Sequence, residues 1–275
     1  SIDALIKHKK LNIIKGSISN KSLIKNVFEN FKPTHVIHSA ASYNNPQNWE
    51  EDAKTNIIGT INLIKASLHY KIERFINFQT SLTYGRTDVS PIPITHSTSP
   101  FTSYGISKTS AEEYLMLTDL NMVSLRLASI CGPRMSIGPI PTFYKRLKSE
   151  KKCFCSDSIR EFMDISDFFE LIDILLDKNS PTGIYNASTG KGYSILQVFN
   201  EVAKYLNIKP SKPLVVPVGD DDVREVVLDP SKTEKIFGWK AKKKFSEVIS
   251  NQLKLYDKYG LDSVFSHLTK PVELD

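Results

Sequence analysis

Short apolar runs alternate with helix-length amphipathic segments through the first half of the chain. Runs with strand character cover residues 11–16, 34–40, 74–80 and 122–130, and helical patterns separate them. The run at 34–40 is nearly continuous in apolar residues, as expected of a strand that is covered on both faces. Because strand and helix alternate in this way, we predict right-handed βαβ units and an α/β fold with a doubly wound parallel sheet.

The pattern changes after the Gly-Pro pair that ends the fourth apolar run, where further prolines interrupt the chain and shorter segments follow. A chain of 275 residues is long enough for one large or two small domains with a real core. We predict that residues 1–132 form the first domain and that about 159–178 return to it. Residues 133–158 and 179–275 are predicted to form a smaller mixed α/β lobe.

The charged residues indicate a solvated surface rather than a nucleic-acid-binding face. Lys and Arg number 36 against 30 Asp and Glu, which gives a net charge of +6, and the basic residues are scattered. The longest basic run, Lys240 to Lys244, is interrupted by Ala241. We therefore expect no nucleic-acid partner, whereas a mildly basic protein suits an anionic small substrate.

Cysteine usage and hydropathy bear on metal binding and location. The three cysteines are Cys131, Cys153 and Cys155, and no second Cys/His pair lies at zinc-binding spacing from Cys153-x-Cys155. We predict reduced thiols, no metal site and a cytoplasmic location. No run approaches the ~18 apolar residues of a membrane span, and residues 1–10 lack the apolar core of a signal peptide. We therefore expect no membrane association.

A candidate general base lies near the middle of the chain. Tyr104 and Lys108 are four positions apart in a predicted helix at about 101–118, so they share one helix face. An ammonium beside a phenol favours the phenolate and lowers the pKa of the tyrosine, which makes it a usable base. The preceding strand ends at Thr80, whose hydroxyl can join the same cleft. Ser81 is the rival hydroxyl, although it points to the other face if the strand continues.

The spacing Tyr-x-x-x-Lys is a weak signal by itself, because the chain contains it three times. The three pairs are Tyr104/Lys108, Tyr144/Lys148 and Tyr205/Lys209. Only the first follows a predicted parallel strand with a hydroxyl residue at its carboxyl end, where open α/β sheets place ligands. We interpret the other two pairs as helix surfaces with a solvated lysine.

Several further motifs occur in register with this pair. They are HSAA (38–41), NIIGT (56–60), QTSLTYG (79–85), YGISK (104–108), LRLASICGPR (125–134), REFMDISD (160–167) and LDPSKTEKIFGW (228–239). Together they resemble the extended short-chain dehydrogenase/reductase family of nucleotide-sugar epimerases and dehydratases, typified by UDP-galactose 4-epimerase. The resemblance covers essentially the whole chain and implies a Rossmann-like sheet, NAD as cofactor and a nucleotide-sugar substrate.

The resemblance also implies roles for individual residues. Tyr104 is the expected base, Lys108 is expected to bind the nicotinamide ribose, and Thr80 is expected to hydrogen-bond the sugar oxygen. The other residues expected to line NAD are Ser17, Ile18, Ser39, Ala40, Ala41, Ser42, Tyr43, Asn56 and Ala128. The residues expected to contact the substrate are Thr80, Ser81, Ser129 and Arg160, with Arg160 at the diphosphate because a guanidinium fork suits phosphate oxygens.

Three of these residues, and one further short sequence, have a purely structural interpretation. Asn56 can satisfy backbone groups inside a helix, and His38 is expected to be structural with only its backbone at the pocket. Arg160 can instead pair on the surface with Glu161 or Asp157. The sequence Gly-Lys-Gly at 190–192 is interpreted as a turn rather than a phosphate loop.

The chain departs from the family pattern in ways that bear on the reaction. The acidic residue expected near the adenine is Ser17, and the Asn and Tyr of the strand that ends in Gly-Pro are Ser129 and Cys131. A 4,6-dehydratase carries an Asp-Glu pair, and a decarboxylase a Glu, at positions that here are Ser81 and Leu82. We therefore expect C4 epimerisation of a UDP-hexose or UDP-hexuronic acid through a 4-keto intermediate, with dehydration or decarboxylation as alternatives.

The Gly-rich turn of a dinucleotide-binding fold is missing from the sequence. No G-x-G-x-x-G or related motif occurs, and the first glycine is Gly16. We expect the sheet to lack one strand–helix–strand unit of roughly 30–40 residues, which would leave residues 11–15 and one edge of 34–40 unpaired. This chain alone is then expected to bind NAD very weakly and to be aggregation-prone or less cooperative in unfolding. A non-catalytic remnant that binds a sugar nucleotide is the alternative function. The family also suggests a homodimer formed through the Tyr104 helix and its neighbour.

Overall fold

The computed structural model describes residues 9–43, 45–220, 222–261 and 264. The described strands are β1 (His35–His38), β2 (Arg74–Thr80), β3 (Met122–Leu127), β4 (Ser129–Cys131), β5 (Phe154–Ser156), β6 (Ile159–Arg160), β7 (Phe162–Asp164), β8 (Gly183–Ala187), β9 (Tyr193–Ser194), β10 (Leu214–Val216) and β11 (Glu225–Val226). The described helices are α1 (Lys21–Phe31), α2 (Trp49–Asp52), α3 (Thr60–His69), α4 (Ser103–Met116), α5 (Pro139–Lys148), α6 (Ile165–Leu175), α7 (Ile195–Tyr205), α8 (Ser231–Phe237) and α9 (Phe245–Tyr259).

The helix between β1 and β2 changes its winding along its length. A π-helical segment, Ala53–Gly59, joins α2 to α3 without a break in the helix. A short 3₁₀ helix, Ser81–Tyr84, follows β2 directly. The π-helical segment contacts the chain just after β1 through Asn56 and Ser42, and π-helical turns often occur at functional positions.

The main sheet has four parallel strands in the order β1-β2-β3-β8. In its register Thr80 lies opposite Leu127, and Leu127 lies opposite Ala187. This confirms the predicted α/β class with a parallel sheet. Because all four strands run the same way, their carboxyl ends meet at one edge, and this edge carries the residues discussed below.

Helices cover both faces of the sheet. On one face Ile76, Val123 and Leu125 pack with α6 and with Trp239. On the other face Phe75 packs with α1, α3 and α4, the last through the fully buried Leu115. Apolar packing on both sides explains why the strand sequences are almost continuously hydrophobic.

A second core lies outside the main sheet. Helices α5, α7 and α9 pack around the buried side chains of Phe143, Val198 and Leu253. At its surface the hydroxyls of Tyr144 and Tyr205 both donate to the carboxylate of Asp257, at 2.6 and 2.7 Å. The Lys148 ammonium donates to the Tyr144 hydroxyl at 3.1 Å. The Lys148 side chain is 52% exposed, in line with the predicted helix surface, and the Tyr144/Lys148 pair also takes part in a polar tie between helices.

Three sequence-based assignments differ from the structure. Residues 11–16 are not a strand, because β1 pairs only with β2 among the described strands and an isolated extended segment has no partner for its backbone groups. The run 122–130 is divided into β3 and β4, and β4 leaves the main sheet to pair with β7. Strand β8, which the sequence assigned to the smaller lobe at 179–275, is the fourth strand of the main sheet because it pairs with β3.

Neither a membrane-spanning helix nor a cluster of metal ligands occurs within the described residues. No described helix is both long enough and apolar enough to cross a membrane. Within the same residues no group of three or more His, Cys, Asp or Glu side chains could hold a metal ion. All three cysteines are free thiols.

Candidate active site

Tyr104 lies in the first turn of α4, opposite the end of β2. The helix begins after Thr102, whose hydroxyl accepts the Gly105 N–H at 3.1 Å and caps it. Strand β2 ends at Thr80, whose hydroxyl accepts the Leu82 N–H at 3.1 Å and hydrogen-bonds the Tyr104 hydroxyl. The structure thus brings together Thr80 and Tyr104, as predicted, at the carboxyl edge of the sheet.

The electrostatic setting of Tyr104 differs from the prediction. Burial raises the pKa of Tyr104 to about 12, with smaller upward contributions from Tyr43 and Asp52. The hydrogen bond from Thr80 lowers this pKa, but Lys108 is not among the groups that shift it. The prediction that Lys108 lowers the pKa of Tyr104 is therefore wrong for the structure as it stands, because desolvation of the phenolate dominates.

Lys108 lies one helical turn after Tyr104 and is 2% exposed. Burial lowers the pKa of its ammonium to about 8, and the negative charge of Glu112 opposes this. Its backbone carbonyl accepts the Gln79 amide at 2.7 Å, while the Gln79 side-chain oxygen accepts the Thr80 N–H at 2.8 Å. Gln79 therefore ties the end of β2 to the middle of α4 and fixes Thr80 relative to Lys108.

Asn56 lies in the π-helical segment and has no exposed surface. Its amide nitrogen donates to the Ser42 carbonyl and to the Ser107 hydroxyl, both at 2.9 Å, and its amide oxygen accepts the Ser42 N–H at 2.7 Å. The side chain thus holds the segment after β1 against α4. This bonding matches the structural interpretation of Asn56 better than direct contact with a cofactor.

A carboxylate lies one turn before Asn56. Asp52 is 1% exposed and accepts the hydroxyls of Ser42 at 2.8 Å and Ser103 at 2.7 Å. Next to Ser42, the ring of Tyr43 lies 6.0 Å from the ring of Tyr104, measured between centroids. The segment after β1 therefore reaches the same place as the start of α4.

His38 ends β1 and is buried. Its Nε2 lies 2.8 Å from the Thr60 hydroxyl, which itself donates to the Asn56 carbonyl at 2.5 Å. Burial and then the Lys108 charge lower the pKa of His38 to about 3, so the ring is neutral at physiological pH. The side chain is structural, as the sequence suggested.

The other expected cofactor residues occupy the same edge or a neighbouring loop. Ser39, Ala40 and Ala41 continue directly from β1, and Ala128 follows β3 with its N–H on the Ala187 carbonyl at 3.1 Å. Ser17 is exposed and bonds Ser19. Ile18 packs so closely on Gly59 that a Cβ there would lie 2.6 Å from it, which ties its loop to the helix that holds Asn56.

The expected substrate residues are spread over three segments. Ser81 opens the 3₁₀ helix after Thr80, so the strand does not continue through it. Ser129 is exposed at the start of β4. Arg160 forms an ion pair with Asp222, so neither Glu161 nor Asp157 is its partner; Asp157 instead lies 3.4 Å from Arg224.

Glu161 organises the segments beside Arg160. Its carboxylate accepts the N–H groups of Thr189, Lys191 and Leu228 at 3.1, 3.2 and 2.8 Å, and the Thr189 hydroxyl at 3.0 Å. Burial raises the pKa of Glu161 to about 7, whereas these donors oppose the shift. The Gly-Lys-Gly sequence is thus part of a turn wrapped around a carboxylate, as the sequence interpretation required.

The donor set fits one end of the expected dinucleotide. Among the described residues no hydrogen bond involves the Lys108 ammonium, and the Tyr104 hydroxyl lies on the same helix face. An ammonium and a hydroxyl placed in this way suit the ribose hydroxyls and the nicotinamide ring of the expected cofactor. The Gly-rich turn that holds a pyrophosphate is not found within the described residues.

Four polar residues that build this site were not predicted from the sequence. They are Asp52, Gln79, Ser103 and Glu112. One signal was available, because Asp52 precedes Asn56 by four and Ser103 precedes Ser107 by four, a spacing that lets two helices form two parallel links.

Comparisons with known proteins agree with this geometry. A family model described as the NAD dependent epimerase/dehydratase family matches residues 2–188. The Bordetella bronchiseptica enzyme WbmG, solved in complex with NAD, is 53% identical, with a TM-score of 0.91 over 98% of this chain and 86% of that chain. A second structure of the same enzyme contains NAD and UDP.

Two further relatives carry different activities in their names. A Thermotoga maritima UDP-glucose 4-epimerase, solved with UDP-glucose, is 26% identical, with a TM-score of 0.82 over 92% of this chain and 87% of that chain. A dTDP-D-glucose 4,6-dehydratase of Bos taurus is 26% identical over 272 residues, which is 93% of this chain and 77% of the relative. The similarity therefore extends to both reaction types.

Proposed function

This chain belongs to the NAD-dependent epimerase/dehydratase family, with NAD as its cofactor, and we propose that it catalyses C4 epimerisation of a UDP-sugar. The observation that carries the proposal is the hydrogen-bonded pair of Thr80 and Tyr104, which is followed in the chain by Ser81 and Leu82 rather than by a carboxylate. Ser81 and Leu82, the next residues, open a 3₁₀ turn and supply neither an acid nor a base strong enough for elimination of water.

The proposed chemistry uses this chain's own groups for proton transfer and orientation. Tyr104 removes the proton of the C4 hydroxyl, and Thr80 hydrogen-bonds the same oxygen while it becomes a carbonyl. NAD, when bound, accepts a hydride from C4 and returns it. If the 4-keto sugar rotates in the site between the two transfers, the hydride is returned to the opposite face of C4. Tyr104 then returns the proton to the C4 oxygen, which gives the epimeric hydroxyl.

The residues proposed to hold NAD lie at the carboxyl edge of the sheet. Lys108 and Tyr104 are proposed to bind the nicotinamide ribose, and residues 39–43 together with Ala128 are proposed to line the ring and the phosphates. Ser17 and Ile18 are proposed to meet the adenine. Asn56 is proposed to act through Ser42, because all of its described hydrogen bonds go to protein atoms.

We propose a UDP-hexose or UDP-hexuronic acid as the substrate. The UDP found with WbmG and the UDP-glucose found with the Thermotoga maritima epimerase support a uridine nucleotide. Arg160 is proposed to contact the diphosphate, and Asp222 holds its guanidinium for that purpose. Ser129 is proposed to reach the same part of the substrate.

A homodimer is also proposed, formed through α4 and the neighbouring helix. The outer face of α4 exposes Ile106, Tyr114 and Met116, and Leu117 after it is 80% exposed. Ile58 is exposed on the adjacent π-helical segment. Exposed apolar side chains grouped in this way are typical of a contact between subunits. Analytical ultracentrifugation of the protein and of an Ile106→Glu variant would test the proposed homodimer.

The test of the function is product identification. The protein is incubated with NAD and, separately, UDP-glucose and UDP-glucuronic acid, and the nucleotide sugars are followed by proton NMR. Conversion to the galacto-configured epimer is expected for one of them. Loss of water or release of CO₂ would instead indicate a dehydratase or a decarboxylase, and UDP binding by calorimetry without any turnover would indicate a non-catalytic binding protein.

A further inference from the structure

Two helices are joined at the candidate site by a pair of matched hydrogen bonds. Asp52 accepts the Ser103 hydroxyl at 2.7 Å, and Asn56 donates to the Ser107 hydroxyl at 2.9 Å. Asp52 and Asn56 are four apart on one helix, and the two serines are four apart on the other. The two serines flank Tyr104, so these bonds fix the position of its helix turn.

Both links also hold one residue of the segment after β1. The Ser42 hydroxyl donates to the second oxygen of Asp52 at 2.8 Å, while the Ser42 backbone exchanges two hydrogen bonds with the Asn56 amide. Ser42 is therefore fixed by its side chain and its backbone at once. Because Asp52 accepts from Ser42 and from Ser103, its carboxylate is the direct bridge between this segment and the start of α4.

Asp52 also contributes a charge. It is 1% exposed, and none of the ion pairs within the described residues includes it. Two neutral hydroxyls satisfy its oxygens without neutralising them. Its negative charge acts on Tyr104 by disfavouring the phenolate.

We propose that Asp52 is a positioning residue that joins the NAD-lining segment to the Tyr104 helix and sets the charge environment of the Tyr104 hydroxyl. The inference rests on the proposed function where it concerns the role of Tyr104. The hydrogen-bonded bridge from Ser42 through Asp52 to Ser103 is independent of that function. A hydrophobic side chain at position 52 would fill the space and leave Ser42 and Ser103 without their shared acceptor.

Two substitutions separate geometry from charge. In Asp52→Asn the amide can accept from one serine and donate to the other, because a hydroxyl serves as donor or acceptor, so the bridge is kept while the charge is lost. In Asp52→Ala both are lost. Glu51→Gln is the matched control, since Glu51 lies on the same helix but accepts the Thr55 hydroxyl at 2.6 Å, away from Tyr104.

The charge effect has a defined sign and several titrating neighbours. The groups that face Tyr104 or its helix turn are Tyr43 from the segment after β1, Asp52 from α2, Lys108 and Glu112 from α4, and His38 from β1. Removing the Asp52 charge lowers the pKa of Tyr104, so the acid limb of the pH–rate profile moves to lower pH. We expect a shift of about 0.5 to 1 pH unit in Asp52→Asn and none in Glu51→Gln.

The experiment combines three measurements on the full chain: NAD binding by fluorescence, the pH–rate profile, and alkaline difference absorbance of tyrosine with Tyr104→Phe subtracted. Asp52→Ala is expected to weaken NAD binding about tenfold, while Asp52→Asn binds NAD as the wild type does but ionises Tyr104 at lower pH. Asp52→Ala with wild-type NAD binding, or Asp52→Asn with an unshifted Tyr104, would overturn the proposal. If the wild type turns over no nucleotide sugar, the proposed function fails, and NAD binding with the absorbance titration still decides the role of Asp52.

Discussion

The guanidinium of Arg126 donates two hydrogen bonds to one oxygen of Glu112, at 2.6 and 3.2 Å, between the sheet and α4. The side chains are 7% and 2% exposed, and the other Glu112 oxygen accepts the Ser124 hydroxyl at 2.6 Å. The Arg126 guanidinium also lies 4.8 Å from the centre of the Tyr84 ring. A buried charge pair of this kind sits four residues beyond Lys108, under the proposed active site.

Breaking this pair from one side should be costly. Glu112→Ala leaves the Arg126 charge buried without a partner, and we expect a loss of about 3–5 kcal/mol in the free energy of unfolding. The double variant Glu112→Leu with Arg126→Met should lose much less, because neither charge remains. Urea unfolding of the two variants measures the free energy of unfolding of each. Equal decreases in both variants would show that an unpaired buried charge is not the cause of the destabilisation.

Lys108 should reduce the stability of the fold at neutral pH. Its pKa is lowered to about 8 in the folded chain, so the charged form costs about 3 kcal/mol below pH 8 relative to an unfolded lysine. Lys108→Met is therefore expected to raise the free energy of unfolding at pH 7 while abolishing turnover. The difference between variant and wild type should shrink as the pH rises from 8 to 10.5, since the folded wild type then binds no proton.

Thermal unfolding of wild type and Lys108→Met across that pH range measures the effect. Lys65→Met, on the exposed face of α3, is the matched control for the replacement of a lysine by methionine. A stability difference that stays constant between pH 7 and 10.5 would mean that packing, rather than charge burial, distinguishes Lys108→Met from the wild type.

Tyr104→Phe should abolish turnover and keep NAD binding. The ring and its 6.0 Å contact with the Tyr43 ring are retained, while the hydroxyl that would take the sugar proton is lost. Thr80→Val should also reduce turnover strongly, by about 10²-fold, because the hydrogen bond that lowers the pKa of Tyr104 disappears. Thr80→Ser keeps that hydroxyl and should stay within a few-fold of the wild type. Steady-state kinetics with NAD titration distinguishes these outcomes, and wild-type turnover by Tyr104→Phe would reject the assignment.

Arg160 should matter for nucleotide binding and Arg224 should not. Arg160 is largely buried beside Asp222, whereas Arg224 is an exposed residue that pairs with Asp157. Loss of charge-assisted hydrogen bonds to a diphosphate should weaken UDP binding about 10- to 100-fold in Arg160→Met. Calorimetric titration of both variants with UDP makes the comparison, and equal affinities would exclude Arg160 from the diphosphate site.

The sequence predicted the parts of the site that depend on chain order. Strands β1, β2 and β3, the helix α4 and the closeness of Thr80 to Tyr104 follow from periodicity and from the rule that ligands lie at carboxyl ends of parallel strands. Strand β8 was assigned to the wrong lobe because its pairing with β3 joins residues about sixty positions apart, and periodicity carries no information about such partners.

The electrostatics could not be predicted from spacing alone. Tyr104 and Lys108 share a helix face, yet burial decides the pKa of both side chains, and burial depends on the whole packed structure. Likewise, the partner of Arg160 is Asp222, which lies 62 positions away, rather than the nearby Glu161. Glu161 is the acidic residue next to Arg160 in the sequence, but its carboxylate accepts backbone N–H groups of Thr189 and Leu228 instead.

The π-helical segment Ala53–Gly59 sets how many residues this helix can contain. Asp52, just before the segment, and Asn56, within it, form hydrogen bonds to α4 and to Ser42. Thr60, just after the segment, forms a hydrogen bond with His38. Deletion of one residue in the segment would rotate Thr60 by about 100° about the helix axis relative to Asp52. A single-residue deletion would therefore break either the hydrogen bonds to α4 or the hydrogen bond to His38. Substitution at the exposed Lys54 leaves the count intact. The segment Ala53–Gly59 is therefore expected to tolerate substitutions at exposed positions but not insertions or deletions.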